Sequence, residues 1–423
     1  MDSSRFRTHT LQDERILRVL ASAIEAVEPG KLTREFLQRA TLPAHKRVFL
    51  LGIGKASEPM TLAASQFFER VTDSLVITKH ASRRTFGLPR VIESGHPIPD
   101  ARSLAAGQAA LDFVSRPGED DLLICLISGG GSALMTLPHE GISLDDMQQL
   151  TSSLLARGAA INEINLIRRQ LDRVKGGGLA RGTKAHVLSL ILSDVLGNPL
   201  EIIASGPTVQ TKMPHENGTQ IIKKYSIQIT PHMRGILLKN QIQFDETFEN
   251  RVQNIVIGGI HTAAQAAQIQ AQKEGLHAEI LDLNLQGEAR QVGPALARNL
   301  KDKRKNTNMP FCLIAGGETT VTVKSSGKGG RNQELALSAV DELSGLQNAL
   351  FISLATDGDD GPTDAAGAVV NGETRRRAER LGMFAAGYLS RNDAYHYFQN
   401  LDDLIKCGYT GTNVNDLILL IGL

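Results

Sequence analysis

Residues 354–368 read Leu-Ala-Thr-Asp-Gly-Asp-Asp-Gly-Pro-Thr-Asp-Ala-Ala-Gly-Ala, with four carboxylates and three glycines directly after an apolar run. Carboxylates placed where a strand gives way to a glycine-rich loop suit a divalent cation and a phosphate-bearing substrate. A solvated acidic turn has the same local composition, so this stretch decides nothing alone. Its weight comes from recurrence. Lys55 follows Gly52-Ile53-Gly54, and Ser128-Gly129-Gly130-Gly131-Ser132 follows another apolar run. Asp194 follows Leu192-Ser193, Glu318 follows Gly316-Gly317, and Arg331 follows Gly329-Gly330.

Each residue type matches a task in phosphoryl transfer. A lysine beside a helix N-terminus meets an anion together with backbone N–H groups, which the triple glycine would also expose. Gly52-Ile53-Gly54-Lys55 lacks the spacing of a Walker A loop, so the signal is weak by itself. Arg331 offers a planar fork for phosphate or carboxylate. Asp357 and Glu318 are candidate ligands for Mg²⁺. Asp194 is a candidate base, although the residues alone allow Asp194 and Asp357 to exchange roles. Lys175, before Gly176-Gly177-Gly178, and the tract from Ala204 to Thr208 look like further loops on the same ligand. His96 and His261 have no partner at catalytic or metal spacing and read as structural. Ser128 and Ser132 do not form the G-x-S-x-G elbow of a serine hydrolase.

Positioning such groups needs an α/β scaffold. Amphipathic periodicity over residues 11–40, broken at Pro29-Gly30, predicts two helices. Unbroken apolar strands are expected at residues 47–51, 74–78, 91–93, 121–127 and 185–192, alternating with helices. Such strands indicate a buried, mainly parallel sheet. Residues 211–249 are polar and weakly patterned, which predicts a domain of residues 1–245 and a smaller α/β domain of residues 246–423 with a mixed sheet. In that second domain strands are expected at 254–257, 278–282, 310–314, 349–355 and 416–421, with 319–323 as a hairpin partner. In an α/β sheet, ligands bind beyond the carboxyl ends of the strands. Five of the polar sites fall at such ends.

The chain has 423 residues, enough for two domains, with 41% hydrophobic residues and a formal net charge of +1. That balance argues against nucleic acid or an anionic membrane as the main partner. Three dispersed cysteines, Cys125, Cys312 and Cys407, have no metal spacing and fit a reducing compartment. With no apolar run of roughly 18 residues and no secretory pattern at the N-terminus, a soluble cytoplasmic protein is expected.

The ordered set of motifs resembles the class II glycerate kinases, the glycerate 2-kinase family whose C-terminal part is the MOFRL domain. The likeness runs from about residue 15 to the end. It rests on Gly52-Ile-Gly-Lys55-Ala, His96-Pro-Ile-Pro-Asp100, Ile127-Ser-Gly-Gly-Gly-Ser-Ala133, Ile161-Asn-Glu-Ile-Asn165, Lys175-Gly-Gly-Gly-Leu-Ala180, Leu192-Ser-Asp194, Ile203-Ala-Ser-Gly-Pro-Thr208, Gly316-Gly-Glu318, Gly329-Gly-Arg-Asn-Gln-Glu334, the acidic loop, and Thr410-Gly-Thr-Asn-Val414. It departs at Tyr409, where the family has proline, and at Ala394, where serine is frequent. The resemblance implies a Rossmann-like N-terminal domain, a second α/β domain, and a cleft between them in which the γ-phosphoryl of ATP passes to the 2-hydroxyl of D-glycerate. It marks Lys55 and Arg331 as active-site cations, and Asp194 and Asp357 as active-site carboxylates. ATP and Mg²⁺ are the implied cofactors. D-glycerate and ATP are the implied partners, with homo-oligomerisation left open.

Two rival readings are an NAD(P)H-dependent hydroxypyruvate reductase, a label often given to family members, and a non-catalytic phosphosugar-binding regulator. Against the first, the loop after residue 51 lacks a third glycine, and Thr78-Lys79-His80 supplies no acid for a ribose. The second leaves Asp194 and Asp357 without a task.

Overall fold

The computed structural model describes residues 1–81, 90–210, 218–239 and 246–423. They form two compact units: residues 29–257, and residues 1–28 together with 258–423.

In the first unit, strands β1 (Val48–Ile53), β2 (Asp73–Thr78), β3 (Val91–Glu93), β4 (Leu122–Ile127), β5 (His186–Leu192) and β6 (Val252–Gly258) form one sheet. Their order is β3-β2-β1-β4-β5-β6, and β3 through β5 pair in parallel. This is the doubly wound order of nucleotide-binding sheets. β1 and β4 are buried along their whole length, as their continuous apolar runs demand. Phe49, Leu51, Leu123, Cys125 and Ile127 pack beneath Ala106, Ala110 and Phe113 of the helix Ala101–Val114.

The second unit holds β7 (His277–Leu285), β8 (Phe311–Gly317), β9 (Ala349–Ala355), β10 (Gly367–Asn371), β11 (Leu404–Ile405) and β12 (Asp416–Gly422). Its order is β11-β10-β9-β12-β8-β7. Only β7 and β8 run parallel, so the sheet is mixed, as expected. Alternate side chains enter two cores: Phe351 and Leu313 one, Ile352 and Ile314 the other.

The structure departs from four expectations. The domain boundary near 245 abuts residues outside the described set, and the change of unit comes at 257/258. β6 closes the first sheet rather than opening the second. The N-terminal helix Glu14–Ala26 covers the second sheet, its Ile16, Leu20 and Ile24 meeting Ala264 and Ala267. Amphipathic spacing creates an apolar face without naming the surface it will cover. The hairpin expected at residues 319–323 is absent: Thr320 makes an isolated bridge to Glu288, because β7 and β12 already occupy both edges of β8. No described helix is long and apolar enough to cross a membrane.

Candidate active site

The strand order of the first sheet reverses between β1 and β4. The loops that leave these neighbours are therefore free to diverge and admit a ligand. Lys55 lies in one loop and Ser128–Gly131 in the other. They are laced together: Lys55 N–H donates to the Gly129 carbonyl at 3.0 Å, and Ser128 N–H to the Ile53 carbonyl at 2.9 Å. The Ser128 hydroxyl accepts from Ala56 N–H at 2.9 Å. Gly54 sits at φ +123°, and a Cβ there would lie 2.3 Å from Ser128 Oγ. Only glycine permits this approach.

Asp194, half-buried two residues past β5, reaches the same loop. A Cβ on Gly129 would stand 1.8 Å from its Oδ2, so the carboxylate lies on the bare Cα. Gly130, at φ +85°, lies against His96 and the stem of Lys55, at 3.1 and 3.3 Å from where its Cβ would be. Burial, then the charges of Lys55 and Lys79, push the His96 imidazole down to about 4, so it stays neutral at physiological pH. His96 reads as structural from the sequence, although it heads one of the motifs on which the resemblance rests. Ser132 exchanges a 2.7 Å hydrogen bond with Ser205. Ala204 and Ser205 hold left-handed backbone, at φ 51° and 62°. That costs on the order of 1 kcal/mol each and concentrates at functional loops.

Lys175 does not join this group. It is buried, with Nζ 2.6 Å from Asp172, 3.0 Å from Thr136 Oγ1 and 3.4 Å from the Met135 carbonyl. Its three donors have protein acceptors, so the phosphate-binding role expected for it is corrected to an internal ion pair.

In the second unit, Asp416 opens β12 opposite both Gly317 and Ala355. Glu318 and Asp357 are carried one and two residues beyond those partners, onto the same edge. Arg331, first residue of the helix Arg331–Leu343, grips Asp416 through Nε at 2.6 Å and Nη2 at 3.1 Å, and Glu318 through Nη1 at 2.5 Å. Burial opposes the Arg331 charge, but Asp416 and Glu318 outweigh it and raise its pKa. Burial pushes Asp416 up to about 6 despite Arg331. Gly330 faces Asp360: a Cβ on it would stand 2.3 Å from the Asp360 carboxylate carbon. That carboxylate accepts from the N–H groups of Asn332 and Gln333 at 3.1 and 2.9 Å, which satisfies the helix start. Asp360 is itself pushed up to about 7 by burial. Asp416 and Asp360 were not singled out from the sequence.

Among the described residues, no group of three or more His, Cys, Asp or Glu is arranged to hold a metal ion. Mg²⁺ normally takes one or two protein carboxylates and completes its shell with substrate phosphates and water. Asp357 fits that pattern. Glu318, the other expected ligand, is engaged by Arg331.

Residues 15–238 match the model of a domain of unknown function, DUF4147, and residues 311–416 match the MOFRL family. The D-glycerate 2-kinase of Thermotoga maritima is 39% identical over 95% of this chain and 96% of its own. An Agrobacterium vitis protein, provisionally named a hydroxypyruvate reductase, is 37% identical over 89% of this chain and 100% of its own. The crystal structure of a Thermotoga maritima glycerate kinase superposes with a TM-score of 0.89 at 38% identity, covering 96% of this chain and 98% of that one.

Proposed function

The chain belongs to the glycerate 2-kinase family with a C-terminal MOFRL domain, and from that premise we propose that it transfers the γ-phosphoryl of ATP to the 2-hydroxyl of D-glycerate, giving 2-phosphoglycerate and ADP. The observation that carries this reading is the contact of Asp194 with the Gly129 backbone beside Lys55, at the point where the sheet order reverses. A base, a cation and a glycine backbone without side chains there supply what in-line transfer requires.

In this reading Asp194 orients the 2-hydroxyl and takes its proton as the oxygen attacks the γ-phosphorus. Lys55 and the N–H groups of residues 129–131 stabilise charge on the transferring phosphoryl oxygens, and ADP leaves. The neutral imidazole of His96 adds a donor or acceptor without adding charge. Arg331, once it exchanges Glu318 for an anion, offers phosphate a planar fork. Mg²⁺ held by Asp357 would neutralise nucleotide phosphate charge.

A reductase is disfavoured by the first sheet. The third glycine of a dinucleotide fingerprint is replaced by Ser57, whose hydroxyl bonds the Gly54 carbonyl at 2.7 Å. Lys79, with no carboxylate, follows β2 where an acid would hold the ribose. The test is to incubate the protein with ATP, Mg²⁺ and D-glycerate, following ADP release and NADH oxidation separately and reading the product by phosphorus NMR. Exclusive 3-phosphoglycerate would overturn the position of transfer. Hydroxypyruvate reduction without ATP turnover would overturn the reading.

A further inference from the structure

The helix Ile161–Leu171 carries two adjacent arginines, Arg168 and Arg169, into the first unit. Arg169 is only 9% exposed. Among the described residues its Nε has no hydrogen-bond partner, and its guanidinium makes one long bond, 3.3 Å from Nη1 to the Glu201 carbonyl. Burial, only partly offset by the Glu201 charge, works against its ionisation. Arg168 is likewise desolvated, with a 3.4 Å bond to Thr151 Oγ1. Asp172, three residues further along the chain, is already taken by Lys175. Glu201 compensates the Arg169 charge only in part, and a buried guanidinium with an idle donor is stabilised by an anion that completes it.

A chain of contacts connects Arg169 to the loop of the proposed reacting groups. Gly176, at φ +53°, crosses its stem, with a would-be Cβ 3.2 Å from Arg169 Cβ. Gly176 N–H donates to the Ser205 carbonyl at 3.0 Å, and the Ser205 hydroxyl bonds Ser132 at 2.7 Å. Ser132 closes the loop whose Gly129 meets Asp194. A short 2-hydroxy acid carries its carboxylate one carbon from the reacting hydroxyl. An acceptor held at Asp194 must therefore leave that carboxylate within the same group of loops.

We propose that Arg169 binds the carboxylate of the acceptor and selects a 2-hydroxy acid over an uncharged polyol. The inference rests on the kinase reading above and assigns the substrate's charged end. It is tested by comparing D-glycerate with its uncharged amide, glyceramide, on the wild type and on Arg169→Gln and Arg169→Lys. Losing a charge-assisted pair should raise KM for D-glycerate about 10- to 100-fold in Arg169→Gln, with kcat and KM for ATP within about threefold. Glyceramide kinetics should not change, and Arg169→Lys should recover part of the loss. A KM for D-glycerate that does not move, or that moves equally for glyceramide, overturns the proposal. Should the variants fail to fold, a wild-type crystal structure with D-glycerate decides: a carboxylate beyond hydrogen-bond reach of Arg169, more than about 3.2 Å, overturns it. A wild type that does not phosphorylate D-glycerate would instead overturn the kinase reading.

Discussion

The carboxylate of Asp194 rests on the Cα of Gly129, where a methyl group would stand 1.8 Å from Oδ2 and 2.5 Å from Cγ. Gly129 is not among the residues at positive φ, so contact rather than backbone freedom demands glycine. Gly129→Ala should displace Asp194 and lower kcat/KM for D-glycerate by about 10²-fold or more. Overpacking should cost about 1–3 kcal/mol of stability. Steady-state kinetics beside thermal unfolding check both. A folded alanine variant with full activity would show that the position of Asp194 is irrelevant.

Lys55 and Asp194 should separate binding from chemistry. Lys55→Ala should lower kcat/KM by about 10²-fold, on the order of 3 kcal/mol, with little change in Tm. Asp194→Asn retains shape but cannot take a proton, so calorimetry should find ATP binding intact while turnover disappears. Turnover by Asp194→Asn near the wild-type rate would remove Asp194 as the base.

Arg331 should behave differently from Lys55. A cation that only met phosphate could be removed without harm to the fold, but Arg331 also neutralises Asp416, whose side chain is 3% exposed. Arg331→Ala should lose activity and about 3–5 kcal/mol of stability at pH 8, where the unpaired Asp416 must either stay buried and charged or take up a proton against the solution pH. Asp416 is already pushed up to about 6 with Arg331 present, so by pH 5 it takes a proton and the stability loss should shrink. Equal losses of Tm at both pH values would mean the damage is not a stranded charge.

The strand-end groups of the first sheet were legible because parallel apolar strands all place their carboxyl ends on one edge. Lys55, the Ser128–Ser132 loop and Asp194 each follow a largely apolar strand. Asp416 escaped that logic because it begins its strand. β12 runs antiparallel to β8 and β9, so its amino end joins their carboxyl ends, and apolar runs do not state direction. Lys175 was misread because a glycine triplet resembles an anion loop, whereas its acceptor Asp172 stands three residues earlier and is visible only once both are buried. His96 follows a three-residue strand, β3, too short to announce a site.

Asp360 should make stability depend on pH in the sense opposite to a salt-bridged carboxylate. Burial raises it from 3.8 to about 7, while the unfolded chain keeps a near-normal value. Between about pH 4 and 7 the folded state therefore binds more protons than the unfolded state. Stability falls as pH rises through that window, and the penalty is complete above 7. The two N–H groups that Asp360 receives at the helix start favour its charge but do not offset desolvation. Asp360→Asn cannot ionise and keeps one oxygen to accept from Asn332 or Gln333. Its unfolding free energy at pH 8 relative to pH 5 should improve on the wild type by on the order of 2 kcal/mol. A residual slope below about pH 6 should persist in both proteins, since Asp416 also holds its proton in the folded state. Urea unfolding across this range measures it, and a slope unchanged by Asp360→Asn would mean that the Asp360 carboxylate stays ionised in the folded chain throughout.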